Sequence, residues 1–428
     1  MESNHHINAL EAPLKIGVIG LGYVGLPLAV AFSAKYPTVG FDIDAHRVTD
    51  IQKGVDQTQM VSQAEIQQAK NLQLCHELSL LKDCNVYIIT VPTPVDQHHQ
   101  PDFSFLLEAS RMVGQLLSVG DVVIYESTVY PGATEEKCVP LLVEVSALVF
   151  NRDFFVGYSP ERIVPGDGHK KLGQIKKVTS GSTPDIARKI DALYQEIIPA
   201  GTHLASSIKV AEAAKIIENC QRDINISFMN ELAVIFDKME LDTQEVLAAA
   251  RTKWNFLPFY PGLVGGHCIS VDPYYLAMKA EELGHHPAVI LSGRRINDQM
   301  GSFVASKVIK LMVKKGIPIK DAPVLVLGVS FKENCPDIRN TKVVDLIQEL
   351  KDFGAEVDVF DPIVDAQEVK RNFNIALLEK VNKQYAAVIL AVNHAELLNW
   401  PVEEYLQAVA VVFDVKAAWP RHLVDGRL

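Results

Sequence analysis

The chain has 428 residues, of which 48% are hydrophobic and 22% are charged. This balance is typical of globular proteins and excludes a disordered or fibrous chain. A formal net charge of −11 argues against a broad nucleic-acid-binding surface, and the length favours two or three domains.

The first predicted elements form a strand, a glycine turn, a helix and a second strand. KIGVI at residues 15–19 is followed by GLGYVG at residues 20–25. A helical pattern then continues to about Ala34, and TVGFDID at residues 38–44 forms the second strand. A glycine turn in this position is the context in which GxGxxG binds a dinucleotide.

The glycine turn carries its own prediction of the cofactor. Gly20, Gly22 and Gly25 allow the backbone to approach a pyrophosphate that faces the N-terminus of the helix. Asp42 lies 22 residues after Gly20, and a carboxylate there favours the ribose 2′-hydroxyl of NAD over the 2′-phosphate of NADP. We therefore expect these four residues to bind NAD.

The alternation of strands and helices continues, is interrupted by a helical region, and then returns. A stretch at 206–238 has helical periodicity without proline or glycine, and more helical sequence follows it. Alternating strands and helices imply parallel sheets covered by helices. The predicted strands outside the helical region are CNVYIITVPTP (84–94), VVIYEST (122–128), DFFVGYSPER (153–162), APVLVLGVSF (322–331), EVDVFDP (356–362), YAAVILAV (385–392) and VVFDV (411–415).

These patterns predict an α/β protein of three domains. Two Rossmann-like parallel-sheet domains, at 1–204 and 315–428, would be joined by a central helical domain at 205–314 with a long spine helix. The second α/β domain has no GxGxxG, so we expect it to bind something other than a dinucleotide in that mode.

Two polar residues share one face of the long predicted helix. Lys215 and Asn219 are four residues apart and therefore project from the same side. A surface cation is an equally good interpretation of Lys215 from this helix alone. Glu212 and Glu218 are expected on the solvent side, where they could form salt bridges.

Cys268 is the most informative candidate nucleophile. It lies in PGLVGGHCIS, where Gly262, Gly265 and Gly266 are expected to keep steric bulk away from it. A nearby cation would favour the nucleophilic thiolate form of Cys268. Lys215 could be this cation, and so could the adjacent His267. The alternative is a buried, inert cysteine.

Two further residues follow predicted strands at positions where ligands of parallel sheets bind. Glu161 lies in SPERIVPGD and Thr128 in ESTVYPGAT. The other cysteines show no metal or disulfide spacing and are expected to be reduced thiols. His5 and His6 are too few for a metal site, and no metal is predicted.

The N-terminal sequence MESNHHINALEAPL has no signal-peptide pattern. The apolar run that begins at Ile16 is broken by glycines and Pro27 and is too short to span a membrane. We therefore expect a cytoplasmic protein that has no membrane partner.

With these motifs assembled, the chain resembles the UDP-glucose/GDP-mannose dehydrogenase family nearly end to end. The segments KWNFLPFYPGLVGGHC and SGRRIND are similar to those of the UDP-N-acetylhexosamine 6-dehydrogenases, the type that serves Vi polysaccharide synthesis. The motifs that carry the resemblance are GLGYVGLPLA, VPTP, ESTVYPGAT, YSPERIVPGD, AEAAKIIENCQRDINISFMNE, PGLVGGHCISVDPYYL and LGVSFKENCPDIRNT.

The resemblance implies a four-electron oxidation of a UDP-N-acetylhexosamine (UDP-GlcNAc or UDP-GalNAc) at C6, with two NAD molecules used in turn. Cys268 would capture the aldehyde as a thiohemiacetal, which becomes a thioester and is hydrolysed. Lys215 and Asn219 would stabilise oxyanions. Asp272 would orient the water used in proton transfer, and Glu161 and Thr128 would place water for hydrolysis.

The resemblance also implies binding residues for cofactor and substrate. Ser270 departs from the glycine expected there and would narrow the pocket slightly. One cation, Arg251 or Lys253, would come from a neighbouring subunit of a homodimer or larger oligomer. The further cofactor contacts are Tyr23, Val24, Arg47, Thr93, Thr128 and Arg339, and the substrate contacts are Glu161, Arg162, Lys215, Asn219, Tyr260, Gly265, Lys332 and Arg294 or Arg295.

Three alternatives remain open from the sequence. UDP-glucose is the second candidate substrate, and the gluco or galacto configuration is not determined. A two-electron β-hydroxyacid dehydrogenase also uses a helical lysine and asparagine but needs no exposed cysteine. A non-catalytic NAD-responsive protein is disfavoured by the presence of Lys215, Asn219, Cys268 and Asp272 together.

Overall fold

The computed structural model describes residue 10 and residues 13–96, 100–163, 172–266 and 269–428. His5, His6, His267 and Cys268 therefore lie outside the described residues. The chain forms two compact units, one of residues up to 218 with 274–283, and one of 219–273 with 284–428.

The first unit contains a six-stranded parallel sheet in the order β3-β2-β1-β4-β5-β6. This is the order of a dinucleotide-binding Rossmann fold, whose ligand crevice lies beyond the carboxyl ends of β1 and β4. Its strands are β1 (Ile16–Ile19), β2 (Thr38–Phe41), β3 (Leu72–Cys75), β4 (Val86–Ile89), β5 (Val122–Tyr125) and β6 (Phe155–Tyr158).

Helices cover this sheet, and a small parallel pair of strands, β7 (Lys177–Thr179) and β8 (Thr202–Leu204), follows it. The central strands are buried on both faces, which explains why they read as continuous apolar runs. The helices are α1 (Gly25–Ser33), α2 (Ala45–Gln52), α3 (Gln63–Gln68), α4 (Ser104–Gly114), α5 (Val139–Ser146) and α6 (Pro184–Gln195).

The predicted spine helix is α7 (Ile208–Lys238), which has 31 residues and a length of about 46 Å at the usual rise. Its sequence lacks the glycine and proline that would end it earlier. The helices that follow are α8 (Thr243–Ala250), α9 (Asp272–Glu282) and α10 (Ala288–Lys314).

The second unit contains a five-stranded parallel sheet in the order β10-β9-β11-β12-β13. Apolar side chains of α10 and α11 pack on one face of it as a continuous core. Its elements are β9 (Pro323–Leu327), α11 (Val343–Asp352), β10 (Glu356–Phe360), α12 (Ala366–Phe373), β11 (Tyr385–Leu390), α13 (Ala395–Leu398), β12 (Leu406–Asp414) and β13 (Gly426–Arg427).

The predicted fold class is confirmed: two parallel α/β sheets and a central helical region with a long helix are present. No helix in the described part of the chain is both long and apolar enough to cross a membrane. The division into domains at 204 and 314 stays a prediction.

Candidate functional site

The three glycines of the turn after β1 meet three different spatial demands. Gly20 has a φ of +92°, a conformation that side chains rarely adopt. A Cβ on Gly25 would lie 1.8 Å from the carbonyl oxygen of Gly20, so only glycine lets α1 pack this closely. A Cβ on Gly22 would meet nothing within 4 Å, which leaves an open cradle that fits a pyrophosphate against the backbone.

Asp42 follows β2 and holds the glycine turn by a hydrogen bond to its backbone. Its Oδ2 accepts a hydrogen bond from the Leu21 N–H at 2.8 Å, and its Oδ1 accepts one from the Asp44 N–H at 3.0 Å. Its carboxylate remains partly exposed and has acceptor capacity left for a ribose hydroxyl. Tyr23 and Val24 are partly exposed on the same turn.

Arg47, a predicted cofactor contact, is placed as a support of the glycine turn. It is buried, and its Nε and Nη2 donate to the Leu21 carbonyl oxygen at 3.0 and 2.8 Å. Nη2 also lies 2.6 Å from Oδ1 of Asp56. These contacts hold Arg47 against the glycine turn, and its direct contact with the cofactor stays a prediction.

Thr93 and Thr128 lie together after β4 and β5. The hydroxyl of Thr93 donates to the carbonyl oxygen of Thr128 at 2.7 Å. The Tyr275 hydroxyl donates to the carbonyl oxygen of Thr93 at 2.8 Å. The loops that carry both predicted residues are thus joined at the carboxyl edge of the first sheet.

Glu212 corrects one expectation, because it is fully buried and does not face solvent. Its carboxylate accepts hydrogen bonds from the Gly132 N–H at 2.5 Å and the Thr134 N–H at 3.0 Å. Burial raises the pKa of Glu212 to about 7. The residue therefore anchors the loop that carries Thr128 to α7.

Lys215 is buried, with only 6% of its surface exposed, and it has no ion-pair partner among the residues that the structure describes. Desolvating an unpaired ammonium is costly. This favours a role for Lys215 towards a bound oxyanion over the alternative of a solvated surface cation.

Asn219 and Asp272 lie against each other in the second unit. Both are buried, and the Asn219 side-chain amide donates to Oδ2 of Asp272. Asp272 begins α9, directly after the loop that contains Cys268. Two residues that sequence reasoning placed in one reaction are therefore in direct contact, 53 positions apart.

The segment before Cys268 is tightly packed, which corrects the reason given for its glycines. A Cβ on Gly265 would lie 2.6 Å from the carbonyl oxygen of Asn340, and one on Gly266 would lie 2.9 Å from the ring of Phe331. A Cβ on Gly262 would meet Nζ of Lys416 at 2.8 Å. These glycines allow neighbouring atoms to approach, so they are not evidence of empty space beside the thiol.

Polar side chains fix both ends of this loop. Asn230 donates to the carbonyl oxygen of Gly262 at 3.0 Å and accepts from its N–H at 2.8 Å. The hydroxyl of Ser270 donates to the carbonyl oxygen of Gly266. This hydrogen bond joins the described residues on the two sides of positions 267–268.

Glu161 belongs to a buried cluster that the sequence did not reveal. Its Oε1 accepts from the N–H groups of Arg162 and Ile163, and its Oε2 lies 2.8 Å from Nζ of Lys177. Lys177 also contacts Glu126. The guanidinium of Arg162 pairs with Glu218. Only the folded sheet brings Lys177 here, since KK at 176–177 looks like a solvated pair in the sequence.

The two arginines proposed for the substrate have different environments. Arg294 is buried, with Nη1 2.6 Å from Oδ1 of Asp223 and Nη2 2.6 Å from Oδ1 of Asp298. These carboxylates hold the guanidinium in place, and a substrate contact of Arg294 stays a prediction. Arg295 is exposed and stays the other candidate for the substrate contact.

A cleft of the second unit is lined by three lysines, Lys332, Lys342 and Lys416, together with Ser330 and Phe331. Lys342 is paired with two aspartates, and Lys332 and Lys416 are candidates for binding an anion. Sequence reasoning found Lys332 through its motif but missed Lys416.

The remaining predicted contacts lie on exposed segments of the second unit. Arg339 forms an ion pair with Asp337. The guanidinium of Arg251 lies over the ring of Tyr260, 3.6 Å from its centroid, which fits a cation–π contact. Lys253 is exposed.

The first sheet and its glycine turn define an NAD-binding α/β dehydrogenase. The chain matches three successive models of one family, the UDP-glucose/GDP-mannose dehydrogenase family: its NAD binding domain at residues 14–198, its central domain at 209–299 and its UDP binding domain at 325–421. The chain belongs to this family. The predictions of the family, of NAD as cofactor and of a dehydrogenase are thereby confirmed.

Similar proteins agree with this family over nearly the whole chain. The chain is 56% identical over 419 residues to a UDP-N-acetyl-D-glucosamine 6-dehydrogenase of Pseudomonas aeruginosa and 52% identical over 419 residues to one of Salmonella typhi. Each alignment covers 97% of this chain and 99% of the relative. Among solved structures, a UDP-D-ManNAc dehydrogenase from Pyrococcus horikoshii is similar with a TM-score of 0.87 at 29% identity, covering 97% of this chain and 98% of that one.

Proposed function

We propose that the protein oxidises C6 of a UDP-N-acetylhexosamine, UDP-GlcNAc or UDP-GalNAc, to the uronic acid, as a step in capsule or O-antigen polysaccharide synthesis. The observation that carries the proposal is the contact of Asn219 with Asp272, which follows Cys268 by four positions in the sequence, in a chain that also has the NAD-binding turn. The names of relatives at 56% and 52% identity support the substrate.

Bound NAD supplies the hydride acceptor for each of the two oxidations. In the first, C6 loses a hydride and its hydroxyl loses a proton, which gives an aldehyde. The Cys268 thiol adds across the carbonyl to form a thiohemiacetal. Loss of a second hydride and a proton gives a thioester, and water then releases the acid and the thiol.

Buried polar groups suit the charges that develop on the substrate. Lys215 and the Asn219 amide stabilise the oxygen at C6 as it becomes an oxyanion. Asp272 holds this amide by a hydrogen bond and orients the water that carries the proton. Thr128 and Glu161 place the water that attacks the thioester.

The second unit supplies cations for the UDP moiety. Lys332 and Lys416 line one cleft and are assigned to the diphosphate, because ammonium groups bind phosphate oxygens as point charges. Arg295, Tyr260 and the backbone of Gly265 are assigned to the sugar nucleotide, and Arg339 to closing the cofactor site.

A second copy of the chain is the proposed protein partner. Phe228 and Ile235 lie seven positions apart on α7, are 50% and 43% exposed, and share one face. Trp254, next to Lys253, is 98% exposed. Apolar residues exposed in this way are typical of subunit contacts, so we assign them to a homodimer in the cytoplasm.

Phe228→Asp tests the homodimer by light scattering after size exclusion. It should give a monomer, whereas the control Val409→Asp, at an equally exposed residue of β12, should not. A Phe228→Asp protein that stays dimeric would place the contact elsewhere.

The activity is tested by counting NADH against sugar consumed, with UDP-GlcNAc, UDP-GalNAc, UDP-glucose and GDP-mannose compared by kcat/KM. We expect two NADH per UDP-N-acetylhexosamine, and loss of acid formation in Cys268→Ser. A clear preference for UDP-glucose would overturn the substrate. Unchanged turnover in Cys268→Ser would remove the covalent mechanism, and one NADH per substrate would favour a two-electron dehydrogenase.

A further inference from the structure

Lys177 begins β7 and joins the two loops that follow β5 and β6. Its Nζ lies 2.8 Å from Oε2 of Glu126 and 2.8 Å from Oε2 of Glu161. It also lies 3.3 Å from the carbonyl oxygen of Ser159 and 3.2 Å from that of Pro160. Since an ammonium has three protons, these four acceptors share it.

The charges in this cluster do not balance, because two carboxylates face one ammonium. All three groups are buried. Burial raises the pKa of Glu126 against the effect of Lys177, and the Tyr194 hydroxyl donates to its other oxygen. Burial disfavours the ammonium, but both carboxylates outweigh it and raise the pKa of Lys177. Lys177 is therefore a fixed cation.

Each carboxylate oxygen of Glu161 has a defined role in holding the side chain. Oε1 accepts from the N–H groups of Arg162 at 2.6 Å and Ile163 at 3.0 Å, both on its own loop. Oε2 faces Lys177 of β7 and, beyond it, Glu126 of the loop that follows β5. Lys177 is thus the charged group of another element that sets the direction of Oε2.

We propose that Lys177 is a positioning residue: it holds the Glu161 carboxylate in place for the hydrolytic half of the oxidation, with Glu126 as the opposing carboxylate. This inference rests on the proposed function. In that step a water oxygen bonds to C6, one water proton passes to Glu161, and the C–S bond breaks. The proton then returns to the sulfur.

The test compares Lys177→Met and Glu126→Gln, which change charge with little change of size. Loss of the ammonium makes the remaining carboxylates harder to ionise, so Lys177→Met should move the acidic limb of the pH profile for acid formation to higher pH. Loss of the Glu126 charge should move the same limb to lower pH. Lys176→Met, at the exposed neighbouring lysine, is the matched control and should not move it.

A double variant separates positioning from general damage. Lys177→Met should slow acid formation about 10-fold or more in the wild-type background, but less than about 2-fold in a Glu161→Gln background. NAD affinity and the burst of the first NADH should change by less than about 2-fold in Lys177→Met. A purely structural lysine would give the full loss in both backgrounds and no opposite shifts.

The inference would be overturned if the acidic limb of the pH profile did not move in the two variants, or moved in the same direction in both. It would also be overturned if Lys177→Met caused the full loss of rate in the Glu161→Gln background. If Lys177→Met fails to fold, the shift in Glu126→Gln decides alone. Failure of the proposed function is distinguishable, because wild-type enzyme would then not yield two NADH per sugar. Failure of this inference leaves that stoichiometry intact.

Discussion

Gly22 and Gly25 occupy one turn but should respond to alanine in opposite ways. A Cβ at Gly22 meets no atom within 4 Å, whereas a Cβ at Gly25 would lie 1.8 Å from the Gly20 carbonyl oxygen and 2.4 Å from Oγ1 of Thr90. Gly22→Ala therefore leaves the folded protein intact, and only a ligand held against the backbone would meet the new methyl group. Gly25→Ala forces α1 away from β1.

The magnitudes follow from which atoms are displaced. Gly22→Ala should change the free energy of unfolding by no more than about 0.5 kcal/mol. Gly25→Ala should lower it by about 1–3 kcal/mol or more, since a backbone carbonyl cannot rotate away. NAD affinity of Gly22→Ala should fall at least about 10-fold, equivalent to about 1.4 kcal/mol.

The assay pairs urea unfolding with calorimetric titration of NAD. Circular dichroism should follow the unfolding, because Trp254, Trp400 and Trp419 all lie in the second unit and would not report on this turn. Unchanged NAD affinity in Gly22→Ala would refute the assignment of the cradle to the pyrophosphate. Unchanged stability in Gly25→Ala would refute the close packing of helix and strand.

Three further substitutions test other parts of the site. Burial raises the pKa of Glu212 from 4.5 to about 7, so the unfolded chain loses its proton first and stability falls as pH rises through that window. The fall should be up to about 3 kcal/mol, and Glu212→Gln should remove the slope in urea titrations between about pH 4.5 and about pH 7. Asp42→Asn should lower the ratio of kcat/KM for NAD to that for NADP at least about 10-fold, measured from initial rates, because the repulsion of the 2′-phosphate is lost. Asn230→Ala should destabilise the protein by about 1–3 kcal/mol in urea unfolding, since both backbone groups of buried Gly262 lose their partner; an unchanged midpoint would contradict this.

The fold was predictable because its signals are local. Continuous apolar runs between turns marked the buried parallel strands, and the absence of glycine and proline marked α7. The position of the glycine turn between β1 and α1 was also predictable, since a strand, a turn and a helix are adjacent in the sequence. The position of Asp42 directly after β2 was predictable for the same reason.

The parts that failed depend on contacts between distant segments. Glu212 was expected to face solvent, yet it is buried against a loop more than 70 positions away in the sequence. The sequence does not distinguish buried Lys177 from exposed Lys176, because only the folded structure shows which of the two is buried. The sequence analysis explained the glycines before Cys268 by access to the thiol. In the structure, Phe331 and Asn340 approach Gly265 and Gly266 so closely that a side chain would not fit there.

Intact-protein mass spectrometry of the Glu161→Gln enzyme during turnover is the most direct test of covalent catalysis. Slowed hydrolysis should let a thioester accumulate, seen as a mass increase of one sugar-nucleotide acyl group on a peptide that contains Cys268 and absent from Cys268→Ser. Continued formation of two NADH and the acid with no adduct at Cys268, in the wild type or in this variant, would contradict the account.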